Sequence, residues 1–294
     1  MITRRDIFAI ASFVAARATA RPQGLPRGSS RRFADLSVSL MQLEKSCSGR
    51  LGVAVLETGS GEMAGYRENE RFAMCSTFKM LLASAVLQRA DVGKENMDRA
   101  IEIPVKPLLP NSPLTEEHAG SRMSVRELCH AILTRSDNTA ANLLLATIGG
   151  PKGISRFARS IGDQVTRLDR IELALNEALP GDPRDTTSPA AMVGNLRKLL
   201  LGTALSSGSG DQLLQWMVAN KTGDERIRAG LPSSWPVGDK TGSNGKNTTN
   251  DIAIVWPAKG APVLIAAYLT ECAGPEEKRN AVLAKVAQLV AAEF

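Results

Sequence analysis

Strand-like patterns occupy both ends of this 294-residue chain, and helical patterns fill the interval between them. Near the start, apolar runs at 51–58 and 63–68 flank Gly59-Ser60-Gly61, which predicts a β-hairpin. Three more strand patterns follow late in the chain, at 235–242, 250–257 and 262–270. Residues with helical apolar spacing lie between the two groups, in the segments 77–90, 125–134, 138–147, 152–161, 189–201 and 211–219.

Two further helical patterns, at 33–47 and 276–292, enclose the whole arrangement. Because the strands at both ends must pair to bury their apolar faces, we expect a single sheet assembled from the two ends. The predicted fold class is α+β, an antiparallel sheet flanked by N- and C-terminal helices, with an inserted all-α domain. We assign 33–75 and 225–294 to the α/β sheet domain and 76–224 to the all-α domain, with a cleft between them.

The first 20 residues carry the features of an export signal. Paired arginines precede an apolar stretch at 7–16, and Ala18 and Ala20 have the A-x-A spacing of a cleavage site. The arginine context resembles a twin-arginine signal, which directs folded proteins across the bacterial inner membrane. Residues 21–32, rich in Pro, Gly, Ser and Arg, are predicted to be a disordered spacer. We therefore expect a periplasmic or secreted protein with no stable membrane insertion.

The net charge of +6 comes from this N-terminal region. Residues 1–32 contain seven arginines and one acid, which leaves 29 basic and 29 acidic residues in the rest of the chain. With only 4% aromatic residues, the body offers little cationic or base-stacking surface, so we predict no nucleic-acid partner. The two histidines, His118 and His130, are too few for a zinc site, and we expect no metal.

The four cysteines, Cys47, Cys75, Cys129 and Cys272, are too sparse to form a disulfide scaffold. Their spacing does not determine any pairing, and export after folding would make oxidation late or absent. Cys75 is next to Ser76, but a cysteine in an apolar segment is more often a small buried hydrophobe than a nucleophile.

Ser76 and Lys79 lie three residues apart in the segment AMCSTFKMLLASAVL, at the start of an apolar helix. Three residues are close to one helical turn, so the ammonium can reach the hydroxyl. A serine becomes a good nucleophile when a base removes its proton, and a desolvated lysine can be that base. The same two residues are also compatible with a serine that only caps the helix and a lysine that is exposed on the surface. Ser243 and Lys246 repeat the spacing, so the pair alone is weak support for catalysis.

Two further motifs strengthen the case for catalysis. Ser136-Asp137-Asn138 begins an apolar helix, where Ser and Asp are also common caps. Lys240-Thr241-Gly242 ends a predicted strand, where the glycine could serve only a turn. In this order, the three motifs resemble the set found in serine penicillin-recognising enzymes, which include class A β-lactamases and penicillin-binding proteins.

A long irregular segment, at about 166–189, supplies a fourth motif. Loops of this length without regular structure are usually functional or disordered. Glu172 alone could be a solvated carboxylate, but with Asn176 it resembles the Ω-loop of class A serine β-lactamases, where a glutamate and an asparagine hold the deacylating water. In that family an arginine and an aspartate at the positions of Arg170 and Asp185 pair across the loop.

From about residue 35 to the C-terminus, the chain thus resembles the class A serine β-lactamases. The resemblance implies a serine β-lactamase or DD-peptidase-like fold and hydrolysis of β-lactam antibiotics through an acyl-enzyme, with no cofactor. The implied catalytic residues are Ser76, Lys79, Ser136 and Glu172. The implied substrate-binding residues are Asn138, Asn176, Lys240, Thr241, Ser243 and Arg226, and the implied loop clamp is Arg170 with Asp185.

The same resemblance implies how the catalytic residues act. Ser76 attacks the lactam carbonyl, and the backbone N–H groups of Ser76 and Ser243 form the oxyanion hole. Lys79 and Glu172 divide proton removal during acylation, and Glu172 with Asn176 activates water for deacylation. Ser136 passes a proton to the leaving nitrogen.

The substrate contacts follow from the resemblance as well. Asn138 holds the amide of the substrate side chain, and Lys240, Thr241 and Ser243 meet the substrate carboxylate. Arg226 matches a position where some relatives carry a second arginine that binds this carboxylate.

Two positions depart from the pattern of the family. Asn111 stands where relatives commonly have an aromatic residue at the cleft mouth, which predicts a more open wall. Carbapenem-hydrolysing relatives with a cysteine at the position of Cys75 often pair it with a second cysteine, and Asn244 occupies that second position here. The bridge cannot form, and carbapenem hydrolysis stays open.

Two other functions share part of this pattern. A penicillin-binding DD-peptidase has the first three motifs but lacks the deacylating glutamate, and a non-catalytic β-lactam sensor would keep the acyl group and normally has a membrane tether. General-base assistance is worth roughly 10²- to 10⁴-fold in rate, so Glu172 separates an enzyme that turns over from one that stays acylated. We expect a monomer with a small-molecule β-lactam substrate.

Overall fold

A five-stranded antiparallel sheet lies at the centre of the structure, a computed structural model that describes residues 33–105 and 107–294. The strands are β1 (Arg50–Glu57), β2 (Met63–Tyr66), β3 (Phe72–Ala73), β4 (Ala100–Glu102), β5 (Arg122–Ser124), β6 (Thr186–Thr187), β7 (Val237–Ser243), β8 (Thr249–Val255) and β9 (Val263–Thr270). The order β2-β1-β9-β8-β7 places the early hairpin beside the last strand of the chain. The predicted sheet from both ends of the chain is confirmed.

Ten α-helices occur in the described residues. They are α1 (Leu36–Cys47), α2 (Phe78–Asp91), α3 (Pro113–Glu117), α4 (Val125–Thr134), α5 (Asn138–Thr147), α6 (Pro151–Ser160), α7 (Pro189–Leu196), α8 (Ser207–Val218), α9 (Ile227–Gly230) and α10 (Glu276–Ala291). Short 3₁₀ turns cover Cys75–Thr77 and Ala174–Asn176, and a π-helical turn, Arg197–Leu201, extends α7. The α+β class is therefore confirmed.

Local capping fixes the starts of two central helices. At α4, Ser124 Oγ accepts from the Glu127 backbone N–H at 3.2 Å, and Glu127 Oε2 accepts from the Ser124 N–H at 2.7 Å. This reciprocal pair is a capping box, which the letters Ser-x-x-Glu already indicate. At α5, Asp137 Oδ1 accepts from the Ala140 N–H at 2.9 Å. Both helices accordingly have the bounds that their sequence patterns predict.

Some elements differ from the sequence prediction. Helix α8 begins at Ser207 instead of residue 211, because the Ser206 hydroxyl accepts from the Ser209 N–H at 3.2 Å and makes a Ser/Gly-rich stretch helical. The predicted all-α segment also contains the two-stranded ribbon β4–β5, and β3 pairs with β6 at the end of the irregular segment. Strands of two or three residues are too short to show an alternating pattern.

The terminal helices α1 and α10 cover one face of the sheet. Leu36 and Leu40 of α1 and Val286 and Val290 of α10 are buried, at i, i+4 spacing, in a cluster that includes Ile265 of β9. Burial of each such side chain stabilises the fold by about 1.5–3 kcal/mol. The helix α7 packs on the same strands β1 and β9, and α8 packs on β7. These contacts hold β7 in a fixed position beside the helical segment.

The predicted signal peptide, 1–20, and the predicted spacer, 21–32, lie outside the described residues. Within the described ranges, no helix is both long enough and apolar enough to cross a membrane. Residues Phe33–Phe294 form a compact unit. The division of that unit into a sheet domain and an all-α domain stays a prediction.

Candidate active site

Ser76 lies in the 3₁₀ turn Cys75–Thr77, immediately before the buried helix α2. The strand β7 runs beside this turn. A Cβ atom on Gly242 would lie 2.7 Å from the Met74 carbonyl oxygen, closer than Cβ atoms approach a backbone oxygen, and at a tight 3.2 Å from the Ser76 nitrogen. Glycine at this position therefore allows the strand that carries the KTG motif to approach the backbone of Ser76.

Lys79, one helical turn after Ser76, is fully buried at the centre of a polar network. Its Nζ donates to Ser76 Oγ at 3.1 Å and lies 3.0 Å from Glu172 Oε1. It also donates to the Ser136 carbonyl oxygen at 2.8 Å and to Asn138 Oδ1 at 2.6 Å. The first two motifs and the irregular segment thus meet at one ammonium group.

Burial lowers the pKa of Lys79 below its ordinary value, and the nearby negative charge of Glu172 acts in the opposite direction. Desolvation disfavours the charged amine, so the neutral form is more accessible here than on a surface lysine. A neutral Nζ at 3.1 Å from Ser76 Oγ has the position that a general base requires.

Lys240 approaches Ser136 from the opposite side of the network. Its Nζ donates to Ser136 Oγ at 3.2 Å and to the Thr241 carbonyl oxygen at 2.8 Å. Burial, together with the charge of Lys79, lowers the pKa of Lys240 to about 7. The Ser136 hydroxyl also lies 3.4 Å from Lys79 Nζ, so it connects the two lysines.

Glu172 brings a carboxylate to the other side of Ser76. Its Oε1 lies 3.5 Å from Ser76 Oγ, and its Oε2 accepts from Asn176 Nδ2 at 2.5 Å. The Oδ1 atom of Asn176 is buried and has no hydrogen-bond partner among the described residues. A buried acceptor without a partner is costly and points to a further donor, such as water, at this place.

The irregular segment is held closed by an ion pair between its ends. Arg170 Nε donates to Asp185 Oδ2 at 2.5 Å, and Asp185 Oδ1 accepts from the backbone N–H groups of Asp169 and Arg170 at 2.8 and 2.9 Å. Asp185 is fully buried, so its carboxylate depends on these donors. Arg170 also pairs with Glu177. The sequence-predicted clamp residues are therefore in contact.

The remaining predicted residues lie along a cleft of about 1170 Å³ that also contains Ser76. Asn138 Nδ2 donates to the Pro110 carbonyl oxygen at 2.8 Å, which orients its amide. Thr241 shares a hydrogen bond of 2.5 Å with Thr222. The cleft is lined by Ser76, Ser136, Asn138, Asn176, Thr241, Ser243 and Arg226, among others.

Arg226 lies at the far end of this cleft and is mostly occupied by protein partners. Its guanidinium donates to the carbonyl oxygens of Gly242 and Asn250, to Asn280 Oδ1 and to Glu276 Oε1, at distances of 2.9 to 3.1 Å. The group borders the cleft but is only 6% exposed. Arg226 therefore connects β7 and β8 to the start of α10.

The sequence pattern that defines the Beta-lactamase enzyme family matches residues 35–294, nearly all of the described chain. The protein belongs to this family. Beta-lactamase L2 of Stenotrophomonas maltophilia is 46% identical over 284 residues, which cover 96% of this chain and 94% of L2. Beta-lactamase CTX-M-8 of Citrobacter amalonaticus is 48% identical over 256 residues, 87% of this chain and 88% of that enzyme.

Solved structures place the chain in class A of the β-lactamases. An ancestral class A β-lactamase called GNCA superposes with a TM-score of 0.87 at 59% identity, covering 88% of this chain and 100% of that one. A putative class A β-lactamase, PenP from Rhodopseudomonas palustris, gives 0.86 at 52% identity, covering 88% and 99% of the two chains.

Three residues that support the candidate site were missed by the sequence analysis. Asn142 exchanges two hydrogen bonds with the backbone of Glu172, at 2.8 and 2.9 Å, and so fixes the irregular segment against α5. Asn250 Nδ2 donates to the carbonyl oxygens of Ala73 and Met74, just before Ser76. Thr222 pairs with Thr241. Only Asn142 had a local signal, since it lies one helical turn after Asn138.

Asn111 and Asn244, the two residues that depart from the family pattern, each make defined hydrogen bonds. Asn111 lies at the cleft, where its Nδ2 donates to the Ser136 carbonyl oxygen at 3.2 Å. Asn244 Oδ1 accepts from the backbone N–H groups of residues 246, 247 and 248, and so organises the turn between β7 and β8. Cys75 is a buried free thiol, whose pKa is raised to about 12 by burial. It therefore behaves as a small core residue.

Proposed function

We propose that this class A β-lactamase hydrolyses β-lactam antibiotics in two steps, acylation of Ser76 and hydrolysis of the resulting ester by water held on Glu172. Family membership gives the reaction class, hydrolysis of a cyclic amide. The geometry around Ser76 supports the assignment of roles that follows.

In acylation, Ser76 Oγ attacks the lactam carbonyl carbon. Its proton passes to Lys79 or, through solvent, to Glu172. Lys79 Nζ lies 3.1 Å and Glu172 Oε1 3.5 Å from Ser76 Oγ, and these two atoms lie 3.0 Å from each other. The backbone N–H groups of Ser76 and Ser243 stabilise the oxyanion, because preorganised donors act strongly on developing charge. Ser136, bonded to both lysines, returns a proton to the lactam nitrogen as the C–N bond breaks.

The observation that carries the proposal is the surroundings of Glu172. Ser76 Oγ lies 3.5 Å from Glu172 Oε1, so a water bound to this carboxylate would lie beside the ester that forms on Oγ. The unpaired Oδ1 of Asn176 supplies an additional acceptor beside the same carboxylate. Such a water would be deprotonated by Glu172 and attack the ester carbon, which frees Ser76. A peptidase or a sensor that retains the acyl group has no use for this arrangement.

Substrate recognition is proposed to use both ends of the cleft. Asn138 would hold the amide of the β-lactam side chain, and Asn176 borders the same end. Lys240, Thr241 and Ser243 would bind the substrate carboxylate. Arg226 supports this end mainly by positioning β7, since its donors already have protein partners.

The Ω-loop, residues 166–189, is proposed to hold Glu172 and Asn176 in place through the Arg170–Asp185 pair. We also propose export by a twin-arginine signal at 1–20, a spacer at 21–32, a periplasmic or secreted location and a monomeric state. The sheet domain (33–75 and 225–294) and the helical domain (76–224) would then present their shared cleft to substrate.

Intact-protein mass spectrometry after mixing with a penicillin tests this function. The wild type should return to its original mass within minutes, whereas Glu172→Ala should retain the mass of one acyl group. Glu117→Ala, which removes an exposed carboxylate, is the matched control and should behave as the wild type. Persistent acylation of the wild type would favour the peptidase or sensor, and penicillin hydrolysis at the wild-type rate by Ser76→Ala would reject Ser76 as the nucleophile.

A further inference from the structure

We propose that Cys47 and Cys272 form a disulfide bond that joins the end of α1 to the segment after β9. This cross-link is a covalent modification of the fold, and it lies outside the proposed lactam chemistry. The structure has both residues as free thiols.

The two cysteines are in direct contact. Cys47 is the last residue of α1, and the Cys272 Sγ atom lies 3.1 Å from the Cys47 carbonyl oxygen. Bond lengths then limit the distance between the two Cα atoms to at most about 8 Å, which is compatible with the range of about 4.4–6.8 Å that disulfides span. The Cys47 thiol donates to the Glu44 carbonyl oxygen at 3.2 Å. Formation of the bond would replace this hydrogen bond, with rotation about the Cα–Cβ bond of Cys47 turning its sulfur to Cys272.

The backbone between α1 and β1 creates the space for this contact. Ser48 has a φ of 50°, so the chain turns sharply directly after Cys47. A Cβ atom on the next residue, Gly49, would lie 2.6 Å from the Cys272 Cβ atom. Any larger residue would push Cys272 away, so the glycine keeps the two cysteines adjacent.

The other two cysteines have a different environment. Cys75 and Cys129 are fully buried, in the 3₁₀ turn and in α4, and burial raises the pKa of both thiols. Burial also raises the pKa of the Cys47 thiol, but Cys47 is only partly buried, so an oxidant can reach it, while Cys272 is 4% exposed. Cys47 is thus the thiol that an oxidant reaches first, and Cys272 is the thiol that can then displace the oxidant from Cys47.

Oxidation proceeds by thiol–disulfide exchange with a small disulfide or a thiol oxidase. The Cys47 thiolate attacks the oxidant, whose S–S bond breaks and releases a first thiol. The Cys272 thiolate then attacks the Cys47 sulfur of the mixed disulfide and releases a second thiol. The two cysteines lose two electrons and two protons in total, and the oxidant takes up both. Oxidising compartments outside the cytoplasm supply such oxidants.

The expected consequence is resistance to unfolding. The bond would join residues 225 positions apart, and closure of a long loop removes many conformations of the unfolded chain. The Cys272 N–H also donates to the Asn247 carbonyl oxygen at 3.1 Å, so the bond would connect α1 with the turn between β7 and β8. We expect the melting temperature to rise by about 5–10 °C.

The test treats the purified protein with oxidised glutathione, then unfolds and alkylates it without reductant. Mass spectrometry should find two alkylated cysteines, Cys75 and Cys129, and a proteolytic peptide pair linked through Cys47 and Cys272. The melting temperature should rise on oxidation and return with reductant.

Three variants make the result specific. Cys47→Ser and Cys272→Ser should each lose the thermal response to oxidant, whereas Cys129→Ala should retain it. Four alkylated cysteines after oxidation, a stable glutathione adduct on Cys47, or a bond between two copies of the chain would each overturn the proposal. These readouts do not depend on penicillin hydrolysis, so the proposed function and the proposed bond can fail separately.

Discussion

At the scale of single residues, burial gives the two lysines of the site different properties. Lys79 is buried against a carboxylate, which partly restores its charge. Lys240 is buried beside the first lysine, and its pKa falls to about 7 as a result of burial and of that neighbour. The charge of the residue that we propose to bind the substrate carboxylate therefore titrates near neutral pH.

This property predicts a pH-dependent KM. Below pH 7 the free enzyme carries a protonated Lys240, which attracts the substrate carboxylate, and above pH 7 that charge is lost. KM for a penicillin should therefore rise with pH above 7, by up to about tenfold per unit, until the pKa of the complex is reached. Steady-state kinetics between pH 5.5 and 9 measure it.

Lys240→Arg is the matched control for this prediction, because arginine stays charged over the whole range. Its KM should stay nearly constant with pH. A rise of the same size in both proteins would show that another group controls substrate binding.

At the scale of elements, the Ω-loop acquires its shape from contacts at both ends and in the middle. Its ends meet through Arg170 and Asp185, and its centre is bound by Asn142 of α5 through the backbone of Glu172. The loop contains little regular secondary structure, so few hydrogen bonds between backbone groups hold it. The hydrogen bonds of these side chains stabilise it instead.

Arg170→Ala should therefore loosen the loop and slow deacylation more than acylation. The change leaves the buried Asp185 carboxylate without its charged partner, which should cost about 3 kcal/mol of folding stability and lower the melting temperature by about 5–10 °C. Stopped-flow acylation and steady-state turnover, measured together, separate the two steps. Arg184→Ala, which removes a more exposed arginine of the same loop, is the control. Equal turnover in all three proteins would reject the clamp.

At the scale of the whole molecule, the site exists only where the sheet meets the helical segment. β7 contributes Lys240, Thr241 and Ser243, and the turn before α2 contributes Ser76. Gly242 allows β7 to approach this turn closely, because a Cβ atom at that position would lie only 2.7 Å from the Met74 carbonyl oxygen.

Gly242→Ala should consequently separate the strand from the turn while the fold persists. The added methyl group would collide with the Met74 carbonyl oxygen, so we expect kcat/KM to fall by about 10²-fold. Gly194→Ala in α7, where an added Cβ has no neighbour within 4 Å, is the control and should keep full activity. Circular dichroism checks the fold of both variants, and wild-type kinetics in Gly242→Ala would contradict this account of the interface.

The sequence predicted the regular elements well wherever local chemistry is sufficient. The capping box at Ser124 and the cap at Asp137 each join residues three positions apart. The local sequence is therefore sufficient to predict where these two helices begin. The ribbon β4–β5 was missed because its pairing joins short segments whose patterns are not distinctive. Asn250 was missed because its partner, the Met74 carbonyl oxygen near Ser76, lies 176 positions earlier in the chain.

By itself, the sequence determined the order of the sheet's five strands and of the longer helices, the motif residues and, through them, the family. These features depend on local spacing and capping, which the chain encodes within a few neighbouring residues. Only the tertiary structure decided that Lys79 and Lys240 are desolvated, that Arg226 is occupied by protein acceptors, and that Cys47 meets Cys272. Burial and long-range contacts depend on how distant segments pack, and no local pattern specifies them.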